Sequence, residues 1–323
     1  MTADLRFNIQ YAAVFAAAII PSIAIEALPV KKKDFEQVIG IAFATLSLII
    51  LANIFGGRIL GFGESFEGLQ GGRNFGFLGD SITPVIILPL LYFLLRRNLI
   101  GAALMILCLI LTGGKAGGLM LIAALFLIPL FVLRGPLRYF LLGLGAAGIY
   151  FLYPYVAELL ESDKLQYSWN TRQLSYEIGI RLFTESPIWG VGVNQSMEGM
   201  SARAELDAHL RGLTRYWVVG QIHNSFVRSM AETGLIGLSV LIVFCAIIIR
   251  RALAAGELAV RTAQSPAQAL ALAGALWVIA FIVCNQGVGW FEHVHPQFAW
   301  LLMISSASLK AAEFSTHASR WVR

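Results

Sequence analysis

Nine long apolar runs, at roughly 9–28, 35–56, 81–95, 98–113, 117–133, 138–157, 229–249, 268–288 and 296–309, leave this chain one extended polar stretch, residues 158–228. Backbone that enters a bilayer must satisfy its own hydrogen bonds, so a chain of this pattern folds as a bundle of spanning helices. Only 13% of its residues are charged while 58% are hydrophobic, against about 25% charged in soluble domains. The expected fold is therefore all-α, a single polytopic integral membrane domain over 1–323. It has about nine transmembrane helices and one large extramembrane loop at 158–228. The N-terminus lacks a basic n-region and a small-residue cleavage site, so the run at 8–28 reads as a retained helix.

Basic residues set the orientation. Lys31–Lys33, Arg96–Arg97, Arg134 with Arg138, Arg250–Arg251 with Arg261, and the tail bearing Lys310, Arg320 and Arg323 all fall on one side of a nine-span arrangement. That side is expected to be cytoplasmic, which puts the 158–228 loop outside, in the periplasm of a bacterium. The N-terminus then also lies outside on a tail of about eight residues, which leaves room for a further upstream helix. The net charge of +5 suits anionic headgroups and gives no reason to expect a nucleic-acid partner. Cys108, Cys245 and Cys284 all sit in apolar runs and read as small buried residues, not as a disulfide or zinc set.

Two external regions could carry chemistry. Residues 56–80 are rich in glycine and hold Arg73. The 158–228 stretch is expected to form short helices at 171–185 and 197–213, with Leu174, Ile178, Leu182 and Phe183 spaced to press one face onto the bundle. Within it, His223 is the group that could take a proton from a sugar hydroxyl near neutral pH. Arg172 and Arg181 stand 2.5 turns apart, so they point to nearly opposite faces of one helix and cannot both grip one phosphate. Arg172 is the preferred phosphate ligand, since a guanidinium holds two oxygens at once. Arg228 lies four residues before Glu232, a spacing at which the two pair.

Lys115, in Thr112-Gly113-Gly114-Lys115-Ala116-Gly117, lacks the spacing of a phosphate loop and reads as a turn whose lysine reaches headgroups. Glu292, His293 and His295 lack the geometry and the third partner that a metal would need. Almost no ionisable group lies at mid-span, which disfavours an ion-coupled transporter.

Three segments together resemble the O-antigen ligase / O-antigen polymerase family of bacterial membrane glycosyltransferases. They are Gly72-Arg73-Asn74-Phe75-Gly76-Phe77; Leu111-Thr112-Gly113-Gly114-Lys115-Ala116-Gly117; and the longer set Thr171-Arg172, Pro187-Ile188-Trp189-Gly190-Val191-Gly192, His223-Asn224-Ser225-Phe226 and Glu232-Thr233-Gly234-Leu235-Ile236-Gly237. The resemblance covers roughly 70–245. It implies an inverting transfer, needing no metal and no cofactor, from an undecaprenyl-diphosphate-linked glycan donor to a glycan or lipid A-core acceptor at the periplasmic face of the inner membrane. By position it implies that Arg172 and His223 are catalytic and that Arg73 assists at the donor; Arg181, Arg228 and Lys115 are further candidates for contact with substrate. The chain departs from the family pattern at Lys115, where an arginine is usual, at Asp80, and in having only two spans before Arg73. The readings from other classes are a transporter of polysaccharide or lipid carrier, and a non-catalytic scaffold of an envelope assembly complex.

Overall fold

A computed structural model describes residues 20, 22–27, 29–60, 65–66, 73–74, 82–112, 115–133, 135–141, 143–145, 147, 163–192, 195–196, 222, 224–260, 265–288 and 296–320. Its elements are α1 (Lys32–Leu60), β1 (Ser65–Phe66), β2 (Arg73–Asn74), α2 (Ile82–Leu95), α3 (Leu99–Thr112), α4 (Lys115–Phe126), α5 (Ile128–Val132), α6 (Asp163–Glu185), α7 (Ser225–Val260), α8 (Pro266–Val288) and α9 (Pro296–Arg320). The two strands form an antiparallel ribbon, Phe66 opposite Arg73, inside the glycine-rich 56–80 region. Apart from that ribbon of two-residue strands every element among the described residues is helical, so the fold class is all-α. Among the described residues three helices are long and apolar enough to cross a membrane, Lys32–Ala52, Ser225–Ala259 and Pro266–Cys284, with shorter apolar helices at Val85–Leu95, Leu99–Thr112 and Gly117–Phe131.

The chain divides into two compact units, one of Met1–Leu142, Ile248–Cys284 and Pro296–Arg323, the other of Gly143–Ile247 and Asn285–His295. In the first unit α8 is the central helix. It is alanine-rich and buried nearly all round, which is how a helix apolar on every face is accommodated. Gly274 lies so close to Ser308 and Ile304 of α9 that a side chain there would collide with them, so the absent Cβ sets how near the two helices come. On α1, Ile39, Phe43 and Ile50 form the buried stripe, and Phe43 stacks on Tyr92 of α2 at 4.2 Å. The other faces of α1 expose Val38, Ile41, Leu48 and Ile49. Apolar residues on the outward face belong against lipid, not water.

The turn between α2 and α3 is tight for a local reason. Arg97 takes a left-handed backbone, φ 56°. Its amide donates to the Leu94 carbonyl and the next amide, Asn98, donates to Phe93, closing the C-terminus of α2. The Asn98 side chain then accepts from the amide of Gly101 at 3.0 Å and caps α3. The apolar run read as one span at 117–133 is two helices that part at Leu127, because Pro129 has no amide to continue the ladder.

Ion pairs gather several of the basic clusters. Arg251 of α7 pairs with Glu26, just ahead of Lys31, and the Glu26 carbonyl accepts from Lys310 of α9 at 3.1 Å. Arg138 pairs with Glu257 of α7 at 3.7 Å. Groups from three of the five basic clusters are therefore engaged in ion pairs or hydrogen bonds within this unit.

Candidate functional site

The second unit holds most of the residues singled out by sequence. Helix α6 is amphipathic in the expected register: Leu174, Ile178 and Leu182 are fully buried, Phe183 only partly. They form a small core with Ile222 and Ala231, flanked by Tyr176, Val191 and Val227. Gly179 faces Val227 and Ile222 with no room for a side chain, so α6 sits close against the start of α7. The helix begins at Asp163, eight residues before the expected boundary of 171.

Helix α7 is two helices in one. Asn224 caps it, its side-chain oxygen accepting from the amides of Phe226 at 2.9 Å and Val227 at 3.1 Å. The first segment, Ser225–Thr233, ends where Gly234 adopts φ 64°, ψ −159°, a backbone state essentially confined to glycine. The break strands the last carbonyls of the short segment and the first amides of the long one. The turn after α6 satisfies both. Val191 donates to the Ala231 carbonyl and Gly192 to that of Glu232, each at 2.9 Å, while the Leu235 amide donates to the Pro187 carbonyl at 2.8 Å. Two glycines make the approach possible. Gly190, at φ 72°, has backbone of Glu232 and Thr233 where a Cβ would stand, and Gly234 has backbone of Ile188 and Trp189. The segments Pro187–Gly192 and Glu232–Gly237, 40 residues apart in sequence, are thus docked backbone to backbone.

A buried ion pair locks the same junction. Arg228 is 6% exposed and Glu232 7%. The Arg228 Nε donates to Glu232 Oε1 at 2.8 Å, and the Ser196 hydroxyl donates to the same oxygen at 2.5 Å. One carboxylate therefore ties the short helix to the chain that follows the turn. The i,i+4 spacing announced the Arg228–Glu232 pair; Ser196, an ordinary serine in a polar stretch, carried no such signal.

The remaining candidates are placed as follows. Arg172 is half-buried on α6, and among the described residues no ion-pair partner meets its guanidinium. Arg181 is exposed between Glu177 and Glu185, four residues to either side. The two arginines therefore do face differently. Of Arg73 the backbone is described, on β2, and of Lys115 the backbone, at the first residue of α4. His223 lies outside the described residues, between Ile222, which is buried, and Asn224. The helix expected at 197–213 and the Glu292–His295 segment also lie outside them.

The site therefore consists of a half-buried cation on α6, a buried and neutralised arginine on α7, and a capped helix start whose preceding residue is a histidine. A family model for O-antigen ligases matches residues 100–242, a range that takes in α6, the 187–192 turn and the break in α7. No curated protein matches the chain. Over residues 100–242 the chain is thus similar to the O-antigen ligase family.

Proposed function

We propose that the protein is a membrane glycosyltransferase that moves a saccharide from an undecaprenyl-diphosphate carrier to an acceptor hydroxyl at the periplasmic face of the bacterial inner membrane. The docked junction of the 187–192 turn on α7, inside the O-antigen ligase match, is the observation that carries this reading. It fixes the residue after His223 to a helix cap and holds α6, with Arg172, against the same short helix.

The chemistry asked of these groups is modest. The acceptor oxygen attacks the anomeric carbon, the carbon–oxygen bond to diphosphate breaks, and the configuration inverts in one displacement. His223 takes the acceptor's proton, a contribution of typically 10²–10⁴-fold. Arg172, seconded by Arg73, stabilises the charge that grows on the departing diphosphate. Arg181 and Lys115 lie on the approach of the anionic donor. Arg228, fixed by Glu232, is a stationary positive end of a dipole near the short helix and not a mobile clamp. Diphosphate is a good leaving group, so positioning and charge stabilisation suffice.

The test is to replace His223 and Arg172 with alanine separately, confirm insertion, and assay glycan transfer and donor binding in vesicles. Loss of transfer in both variants, with donor binding kept in His223→Ala, is expected; transfer retained in both makes the chain a scaffold. Surface polysaccharide of a deletion strain then separates the acceptors. Single unpolymerised repeats mean a polymerase, and full-length chains left on the carrier mean a ligase.

A further inference from the structure

The tip of the docked turn is apolar and bare. Trp189 is 73% exposed and Ile188 54%, beside Leu235 at 50% and Ile236 at 46% on the first turn of the long segment of α7. Four large apolar side chains in one place, open to water, would be an anomaly for a surface inside a polar region. The position of the tip along α7 explains them.

From Leu235 to Ile249 the sequence has fifteen residues without a charge, and then Arg250 and Arg251. At 1.5 Å per residue this run is about 21 Å long, whereas the hydrocarbon core is ~30 Å thick. With Arg250 held at the far boundary, or snorkelling toward it, a run that short leaves Leu235 at or below the near edge of the hydrocarbon. The turn cannot stand away from that level. The Pro187 carbonyl is bound to the Leu235 amide at 2.8 Å, and the missing side chain of Gly234 lets the backbone of Ile188 and Trp189 press directly on it. The exposed face is also continuous with Val240, Val243 and Ile247 further along the same helix, an apolar strip of the kind a spanning helix turns to lipid. A tryptophan at this depth has its ring in the interfacial layer, where its apolar body and N–H donor are both satisfied.

We propose that Ile188 and Trp189 form a membrane-seated tip, with the interfacial layer of the bilayer as its occupant. The tip sets the depth of the turn, and through the three backbone bonds to α7 it holds the short Ser225–Thr233 helix at headgroup level. A diphosphate on a lipid tail presents itself at that same level.

The test uses the whole chain in phospholipid vesicles, with Cys108, Cys245 and Cys284 replaced by alanine. A nitroxide is attached at Trp189→Cys, and in a second protein at Ile188→Cys in case the first fails to insert. A reference label goes at Gln173→Cys on the exposed polar side of α6. Collision with oxygen, which partitions into lipid, is compared with collision with a water-soluble nickel chelate. The expected result is an oxygen-to-nickel ratio several-fold higher at 189 or 188 than at 173. A ratio equal to that at 173 would place the tip in water and overturn the proposal. Shielding from both reagents would mean that protein covers the patch, and would overturn it equally. The readout needs no turnover, so it stands or falls separately from the assignment of glycan transfer.

Discussion

Gly234→Ala should undock the turn from α7, and the size of the effect can be worked out. At φ 64°, ψ −159° an alanine carries backbone strain of about 1–3 kcal/mol. Its Cβ would also stand where the backbone of Ile188 and Trp189 now lies, and backbone cannot step aside as the end of a flexible side chain can. Relief requires the turn to withdraw. That gives up three inter-segment hydrogen bonds, to Ala231, Glu232 and from Leu235, each with a net value of about 1 kcal/mol. The strain alone would shift the docked-to-undocked ratio by roughly 5- to 150-fold, and the backbone collision adds to it, against about 3 kcal/mol of hydrogen bonding that holds the turn docked. Because the loss is confined to one junction, the spanning helices should still insert.

Hydrogen exchange on purified protein reads this directly. The amides of Val191, Gly192 and Leu235 should exchange faster in Gly234→Ala by at least the factor that the strain sets, with transfer lost. Gly40→Ala on α1 is the matched control. Nothing lies within 4 Å of a Cβ there, so the same chemical change should be neutral or stabilise the helix by up to about 1 kcal/mol. Unchanged exchange at 191, 192 and 235 in Gly234→Ala, with transfer intact, would refute the docked-junction account.

Glu232→Gln should lower stability by about 3 kcal/mol because it leaves the Arg228 charge buried without its partner. The double variant Arg228→Met, Glu232→Met should melt closer to the wild type than either single change; a double variant that adds the two losses would deny the coupling. Asn224→Ala should cost about 1 kcal/mol at the start of α7, and Asn224→Asp should restore the thermal transition; an alanine variant that melts like the parent would remove the cap from the account. Arg172→Lys should cut transfer sharply while leaving the melting temperature in place, since a point charge lacks the planar fork, and unchanged turnover would count against diphosphate binding there.

What the sequence showed and what it hid follow from the range of the forces involved. The buried face of α6 was legible because Leu174, Ile178 and Leu182 repeat at helical spacing, and the Arg228–Glu232 pair because it is local to one turn. The cysteines were legible in part: Cys108 and Cys245 are buried as expected, whereas Cys284 is only half-buried. The break in the apolar run at 117–133 had a visible cause in Pro129. The break in α7 did not. Gly234 and Gly237 in an apolar run are ordinary in a spanning helix, and only the arrival of the 187–192 turn, 40 residues upstream, makes the broken form the better hydrogen-bonded one. The span expected to start at 229 therefore begins as a separate short helix at Ser225. The ribbon of β1 and β2 escaped notice because two-residue strands have no period to detect.

That distant partnership changes what the two motif segments mean. Pro187-Ile188-Trp189-Gly190-Val191-Gly192 contains no ionisable side chain, and Thr233-Gly234-Leu235-Ile236-Gly237 contains none either. Neither can move a proton or hold a phosphate by its side chains, and their amides and carbonyls at the contact are already committed to one another. Their glycines are required by backbone proximity, at Gly190 and Gly234, and not by the approach of a ligand. Under the proposed function, chemistry then comes from what the junction holds in place: Arg172 across the small core on α6, and the residue that precedes the Asn224 cap. The buried charge of Glu232 fits this division of labour. A pair of apolar residues would fill the same space at less desolvation cost, but it could not reach Ser196 and Arg228 with one oxygen and so could not fix the turn's exit to the short helix in a single register.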